Sequence, residues 1–237
     1  MIDCISVENM RLSDAETIAN LVPSLTLMHR AAYGVYLAHD WVSPVAIVAG
    51  SGNNGGDGFA LACILQEKGI PCTVFTVSSR LSEDSGFYAE KAQSVGVPVN
   101  SFAPGCLDAF ATVVDCLLGT GFKGAVRENY RSAIEAINAS DAFVVSVDIN
   151  SGMNGDSAEA ELAVHSDLTV TIGYVKNGLV HENAGKYMKR LVCTDIGIRL
   201  AKEENKLCTP EEWKAYAGQP GYFLCPNWLD MEIISSV

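Results

Sequence analysis

Five apolar, β-branched runs recur along the chain: VAIVA (45–49), CTVFTV (72–77), FATVVDCLL (110–118), FVVSVDI (143–149) and DLTVTIGYV (167–175). Each is nearly continuous rather than alternating, the pattern of a strand buried on both faces. Amphipathic stretches at 57–68, 82–95 and 129–138 separate several of them. Strands of this kind alternating with helices predict a doubly wound, mostly parallel α/β sheet with helices on both faces. Ligands of such folds sit at the carboxyl ends of the strands. With 237 residues the chain can bury one substantial core, so a single domain over 1–237 is expected.

The flanks add to this frame. SDAE at Ser13–Glu16 has the form of a capping box and predicts the start of a first helix. A second helix is predicted from Pro23-Ser24 through LTLMHRAAYGVYLAHDW, so two N-terminal helices precede the first strand. RLVCTDIG (190–197) predicts an edge strand, and Thr209-Pro-Glu-Glu212 another helix start. The aromatic segment at 218–237 has no periodicity; packing across the sheet edge and a dimer contact are both open to it.

Charge narrows the partners. Sixteen Lys and Arg stand against 28 Asp and Glu, a formal net charge of -12, which repels nucleic acid and anionic membranes. A phosphate-bearing ligand then has to be met by local groups such as helix N-termini. The N-terminus has no basic and apolar leader pattern, and no segment holds eighteen uninterrupted apolar residues. Eight scattered cysteines without a C-x-x-C pair favour buried thiols in a reducing cytoplasm over a disulfide or zinc framework.

Three strand ends carry unusual residues. The first, GSGNNGGDG (50–58), satisfies G-x-G-x-x-G at 50–55. A dehydrogenase would also place a carboxylate about twenty residues on, for the ribose hydroxyls. Here that strand ends in Thr76-Val-Ser-Ser79, which argues against an ordinary NAD cosubstrate. The second, DCLLGTGFKGA (115–125), puts Asp115 inside an apolar run. A buried carboxylate must be hydrogen-bonded, paired or coordinated, so Asp115 either caps loop amides or binds a cation with Asn54 and Ser151. The third, VDINSG (147–152), brings Asp148 and Ser151 to another strand end. Oxygen donors without a His/Cys cluster suit a hard, weakly polarising cation. His29, His39, His165 and His181 lie outside these loops.

GSGNNGGDG, DCLLGTGFKG, SVDINSGM and DLTVTIGYVKNGL, in this order, resemble the NAD(P)H-hydrate epimerase family, the YjeF N-terminal type of domain. The resemblance spans about 10–198 and leaves 199–237 unassigned. It implies a Rossmann-like three-layer α/β/α sandwich, usually a homodimer. It also implies an isomerase that interconverts the R and S forms of NADH and NADPH hydrated at C6 of the nicotinamide ring (NADHX and NADPHX). An ADP- or ATP-dependent NAD(P)H-hydrate dehydratase would be the functional partner, and no room for such a domain remains here, so a stand-alone epimerase is expected.

Carried over by motif, Asn53, Asn54, Gly55, Gly56 and Asp57 resemble substrate-binding positions. Asn54, with Asp115 and Ser151, resembles the ligands of a potassium ion. Gly119, Thr120, Gly121, Phe122, Lys123, Gly124 and Ala125 resemble a second phosphate or ribose loop. Asp148 resembles the carboxylate that touches substrate, and Lys176 in YVKNG, where the family has a PKPG-like turn, a rim contact.

A C6 hydroxyl beside a ring nitrogen is a carbinolamine. The nitrogen lone pair expels it as water, and water re-attacks the iminium from either face. A catalyst for this needs an acid/base carboxylate and a grip on the dinucleotide. Asp148 is the first candidate for proton transfer and Asp57 the second, the latter expected to be ionised at a helix N-terminus. The chain departs from the family at LMHRAA (27–32) for LMERAG, at DINSG for DIPSG, and after Met153 in lacking a DTG-like turn. A non-catalytic nucleotide- or protein-binding scaffold of the same fold is the alternative. Scaffolding relatives tend to lose NNGGD and the Asp/Ser pair, all present here.

Overall fold

The computed structural model describes residues 2–204 and the short strand at 207–208. In chain order the elements are β1 (Ile2–Ile5), α1 (Val7–Asn20), α2 (Ser24–Leu37), β2 (Val45–Ala49), α3 (Asn53–Glu67), β3 (Cys72–Thr76), α4 (Glu83–Ser94) and β4 (Val99–Ser101). Then follow β5 (Thr112–Cys116), α5 (Glu128–Ala139), β6 (Phe143–Val147), β7 (Leu168–Ile172), β8 (Val175–Lys176), β9 (Leu191–Thr194) and β10 (Leu207–Cys208). The expected helix start at Thr209 and the segment 218–237 lie outside the described residues.

Seven strands form the main sheet in the order β4-β3-β2-β5-β6-β7-β9. Every neighbouring pair is parallel. One face packs on α2, α3 and α4 through residues such as Ile47, Phe59 and Leu65. The other packs on α5 through Val48, Val113 and Ile134. This is the three-layer α/β/α sandwich expected, and β9 is the edge strand read from RLVCTDIG. From β2 the chain winds outward through β3 and β4, then returns to β5 on the other side of β2. The order therefore reverses between β2 and β5, and the loops after these two strands open a crevice where ligands of such sheets bind.

Three boundaries differ from those expected. First, α1 is capped by Ser6, whose Oγ accepts from the Asn9 N–H at 3.1 Å, and not by Ser13. Ser13 is fully buried in mid-helix, where its hydroxyl donates to Asn9 Oδ1 and accepts from the Ala201 N–H. Second, the run at 167–175 breaks at Gly173, whose φ of 73° turns the chain out of β7. Its last residues become β8, which pairs with β1 in a separate three-stranded sheet, β10-β1-β8. Four-residue β1 and three-residue β4 were too short to stand out as apolar runs. Third, α3 begins at Asn53 and not at Asp57, with Gly52 as N-cap. Glycine lowers helix propensity, so NNGG reads as loop; here its lack of side chains admits the close contacts described below.

Residues 199–204 strap α1 through its buried polar side chains. Ser6 donates from N and Oγ to Glu204, and Asn9 Nδ2 to the Lys202 carbonyl. Thr17 Oγ1 accepts from the Arg199 N–H, as Ser13 does from Ala201. At about 1 kcal/mol each, such bonds hold the helix in register more than they bind it tightly.

Candidate functional site

The crevice is shaped by backbone in direct contact with backbone. At the end of β2, the Gly50 N–H donates to the Cys116 carbonyl at 2.9 Å. A Cβ on Gly50 would stand 1.9 Å from the Leu117 carbonyl oxygen, and one on Gly55 2.2 Å from that of Gly50. Gly56 leaves the same kind of space for the Met28 side chain. Gly55 and Gly56 thus face inward, away from the crevice, and Gly124 lies in an exposed turn with φ 86°. The first bond inside α3 runs from the Gly56 N–H to the Gly52 carbonyl. The N–H groups of Asn53, Asn54 and Gly55 precede it and lie at the positive end of the helix, a place suited to an anion.

A cleft of about 620 Å³ opens here. Asn53, Asn54 and Asp57 line it from α3, Gly119 to Lys123 and Ala125 from the loop after β5, and Asp148 and Lys176 from the sheet rim. Tyr130 adds a buried phenol whose oxygen accepts the Ser51 N–H at 3.1 Å. Leu27, Met28, Ile172, Ile196 and Ile198 give one flank an apolar surface. The volume is that of a small-molecule site with few polar groups placed on it.

Asp148 follows β6 with φ 69°, a left-handed conformation that Asp tolerates better than most residues. Its Oδ1 accepts from Lys176 Nζ at 2.5 Å and its Oδ2 from the Thr120 N–H at 3.2 Å. Lys176 is only 1% exposed and also donates to Thr171 Oγ1 and the Ile172 carbonyl, so all three ammonium hydrogens are used. A Cβ on Gly119 would lie 3.0 Å from Asp148 Oδ2 and 3.4 Å from Asn54 Cβ, so these side chains converge on one point.

Asp57 is half-buried and has no hydrogen-bond partner among the described residues. Burial, then the charges of Asp148 and Asp14, push its carboxyl well above the ordinary 3.8, against a smaller pull from Lys176. The direction is opposite to the one expected from a helix N-terminus. Asp57 is the fifth residue of α3, and the helix dipole acts mainly within the first turn.

Asp115 is fully buried beneath the cleft rather than in its lining. Oδ1 accepts from the Leu117 N–H and Ser151 Oγ, Oδ2 from Ser146 Oγ and the Ser151 N–H. Burial raises its pKa, while the bonds from Ser151, Leu117 and Ser146 oppose that rise. It caps loop amides, as one of its two readings had it, yet no cationic side chain meets it among the described residues. Asn54, 8% exposed in the cleft floor, has neither carboxamide atom hydrogen-bonded. No group of three His, Cys, Asp or Glu that could hold a metal occurs among the described residues, and no histidine lines the cleft.

Sequence reasoning missed the wall that α1 supplies. Met10, Arg11, Asp14 and Ile18 line the cleft from this helix. Asp14 sat inside the SDAE segment taken for a cap; its i, i+4 spacing with Met10 and Ile18 was the available signal. Burial, then the charge of Asp148, raise the Asp14 carboxyl above 3.8, with Lys176 acting the other way.

Fold and cleft define a Rossmann-like α/β/α domain whose ligand site lies at the switch point of a parallel sheet. Residues 18–178 match the family model described as YjeF-related protein N-terminus, and the chain belongs to that family. It is 38% identical over 209 residues to the bifunctional NAD(P)H-hydrate repair enzyme Nnr of Archaeoglobus fulgidus, covering 87% of this chain and 44% of that one. To the NAD(P)H-hydrate epimerase of Limosilactobacillus fermentum it is 36% identical over 199 residues, covering 81% and 95%. The crystal structure of yeast ynu0, YNL200c, superposes with a TM-score of 0.67 at 24% identity, over 75% of this chain and 83% of that one, a likeness of fold.

Proposed function

We propose that the chain is an NAD(P)H-hydrate epimerase, interconverting the R and S forms of NADHX and NADPHX. The observation that carries this reading is one cleft in which the α3 N-terminus, the Asp148–Lys176 pair and the unpartnered carboxyl of Asp57 converge. A scaffold has no use for a carboxyl that burial holds toward its acid form. The amides at the start of α3, beside the Asn53 and Asn54 side chains, and the loop from Gly119 to Ala125 take the phosphates and riboses. Asp57 delivers the proton to the departing hydroxyl, and the ion-paired Asp148 faces the iminium. This exchanges the order of the two candidates read from the sequence, because Asp148 is anchored to Lys176 and Thr120 while Asp57 has no such partner among the described residues.

Asn54, Asp115 and Ser151 would hold a potassium ion. The orphaned Asn54 carboxamide and a buried Asp115 with no cationic partner fit a weakly polarising cation. Such an ion would supply positive charge to the site. We further propose a homodimer served by an ADP- or ATP-dependent NAD(P)H-hydrate dehydratase, as the two-function archaeal relative suggests. A cytoplasmic site of action rests on the six free cysteines among the described residues. No helix among these residues is long and apolar enough to cross a membrane.

The test starts from a single epimer of NADPHX and follows its approach to the R/S mixture by chromatography, in potassium and in sodium. Wild-type protein is expected to equilibrate the epimers well above the spontaneous rate and to unfold at a higher temperature in potassium. Binding of ADP-ribose without any epimer exchange would instead make the domain a nucleotide-binding scaffold.

A further inference from the structure

Epimerisation through a planar iminium has a geometric requirement that one acid/base group does not meet. The hydroxyl leaves from one face of the ring and water adds to the other. With the dinucleotide held at its phosphates, the ring has no freedom to turn over between the two events. A proton carrier is therefore needed on each face. Asp57, from α3, supplies one. The Asp148–Lys176 pair is a poor second, since Asp148 is anchored through a bond on each oxygen and all three ammonium hydrogens of Lys176 are committed to protein partners.

We propose that Asp14 is the second proton carrier, acting from the α1 wall on the ring face turned away from Asp57; the proposal rests on the epimerase reading above. Asp14 lies in the stripe Met10, Asp14 and Ile18 that α1 turns into the cleft. It has no hydrogen-bond partner among the described residues, so its carboxyl is free to exchange a proton. Its helix is fixed by the strap bonds to Ser6, Asn9, Ser13 and Thr17. Asp14, Asp57 and Asp148 all line the one cleft, and the charge of Asp148 acts on the other two. Asn54, whose buried carboxamide has no hydrogen-bond partner, lines the same cleft.

The steps balance. The Asp57 carboxylic acid gives its proton to the C6 hydroxyl. The C6–O bond breaks to release water while the N1 lone pair forms the C6=N1 bond. A second water attacks C6 from the Asp14 side, the C6=N1 electrons return to nitrogen, and the proton lost by that water passes to the Asp14 carboxylate. Exchange with solvent resets both groups, and the reverse reaction uses them in exchanged roles.

The experiment uses the full chain and single epimers of NADPHX in water enriched in oxygen-18, comparing wild type with Asp14→Asn and Asp14→Glu. Inversion and oxygen incorporation are followed separately, with thermal unfolding and ADP-ribose affinity as controls. Wild type is expected to couple incorporation to inversion. Asp14→Asn is expected to lose inversion by about 10²-fold or more, while one epimer still exchanges its oxygen with retention through Asp57. Asp14→Glu should restore part of the inversion, and neither variant should change ADP-ribose affinity. Inversion within threefold of wild type in Asp14→Asn overturns the proposal. So does a parallel fall of incorporation and inversion for both epimers, the mark of a structural role. Absence of inversion in wild type defeats the epimerase reading itself.

Discussion

Asp57 shows how a functional group opposes stability. Its raised pKa means that the folded protein holds this proton more tightly than the unfolded chain does. Between the two pKa values the folded state binds more protons, so stability falls as pH rises from about 4 through that interval. Asp57→Asn removes the buried charge. The variant is expected to melt above wild type at pH 8 and level with it at pH 3, while epimer exchange drops about 10²-fold or more. Calorimetry at the two pH values, beside the exchange assay, checks both halves, and a lower melting temperature at pH 8 would contradict the first. Asp57, Asp115 and Asp148 were legible in the sequence because a carboxylate ending an apolar strand or opening a glycine-rich turn has few structural excuses. Asp14 was not, since a polar residue early in a helix looks like a solvated one until the fold brings a strand rim opposite.

At the scale of elements, the core strands were legible because burial on both faces writes itself as unbroken apolar runs. What escaped depended on pairing at a distance: β1 is recognisable only with β8 beside it, and Ser13 as a buried anchor only with Ala201 above it. Asn150, in DINSG, is of the same kind. Its carboxamide is fully buried, with Nδ2 near the Val164 carbonyl, Ser166 Oγ and the Tyr187 carbonyl, while Oδ1 accepts from Thr169 Oγ1. It ties the segment after β6 to the start of β7. Asn150→Ala strands these partners and is expected to destabilise the domain by about 2 kcal/mol, read from the urea midpoint. A loss within 0.5 kcal/mol, the roughly neutral range of surface changes, would show the network to be dispensable.

Over the whole molecule, the alternation of strands and helices gave the layers, and the switch point between β2 and β5 gave the site. The acidic surface matters less than the few groups around the cleft: in a chain of net charge -12, Arg11, Lys123, Arg127 and Lys176 balance Asp14, Asp57, Asp84 and Asp148 along that one opening. The interlock of Gly50 with Leu117, and of Gly55 with Gly50, means that the loops after β2 and β5 cannot shift independently. The remaining wall is built otherwise, with α1 held to residues 199–204 by a row of single hydrogen bonds. Any opening of the cleft is then expected at this wall before the interlocked loops. Hydrogen-deuterium exchange should find α1 and 199–204 opening as a unit, earlier than the first turn of α3 and the 115–121 loop, and slowing together when ADP-ribose binds. If so, turnover is timed by the wall of the cleft and not by its interlocked loops.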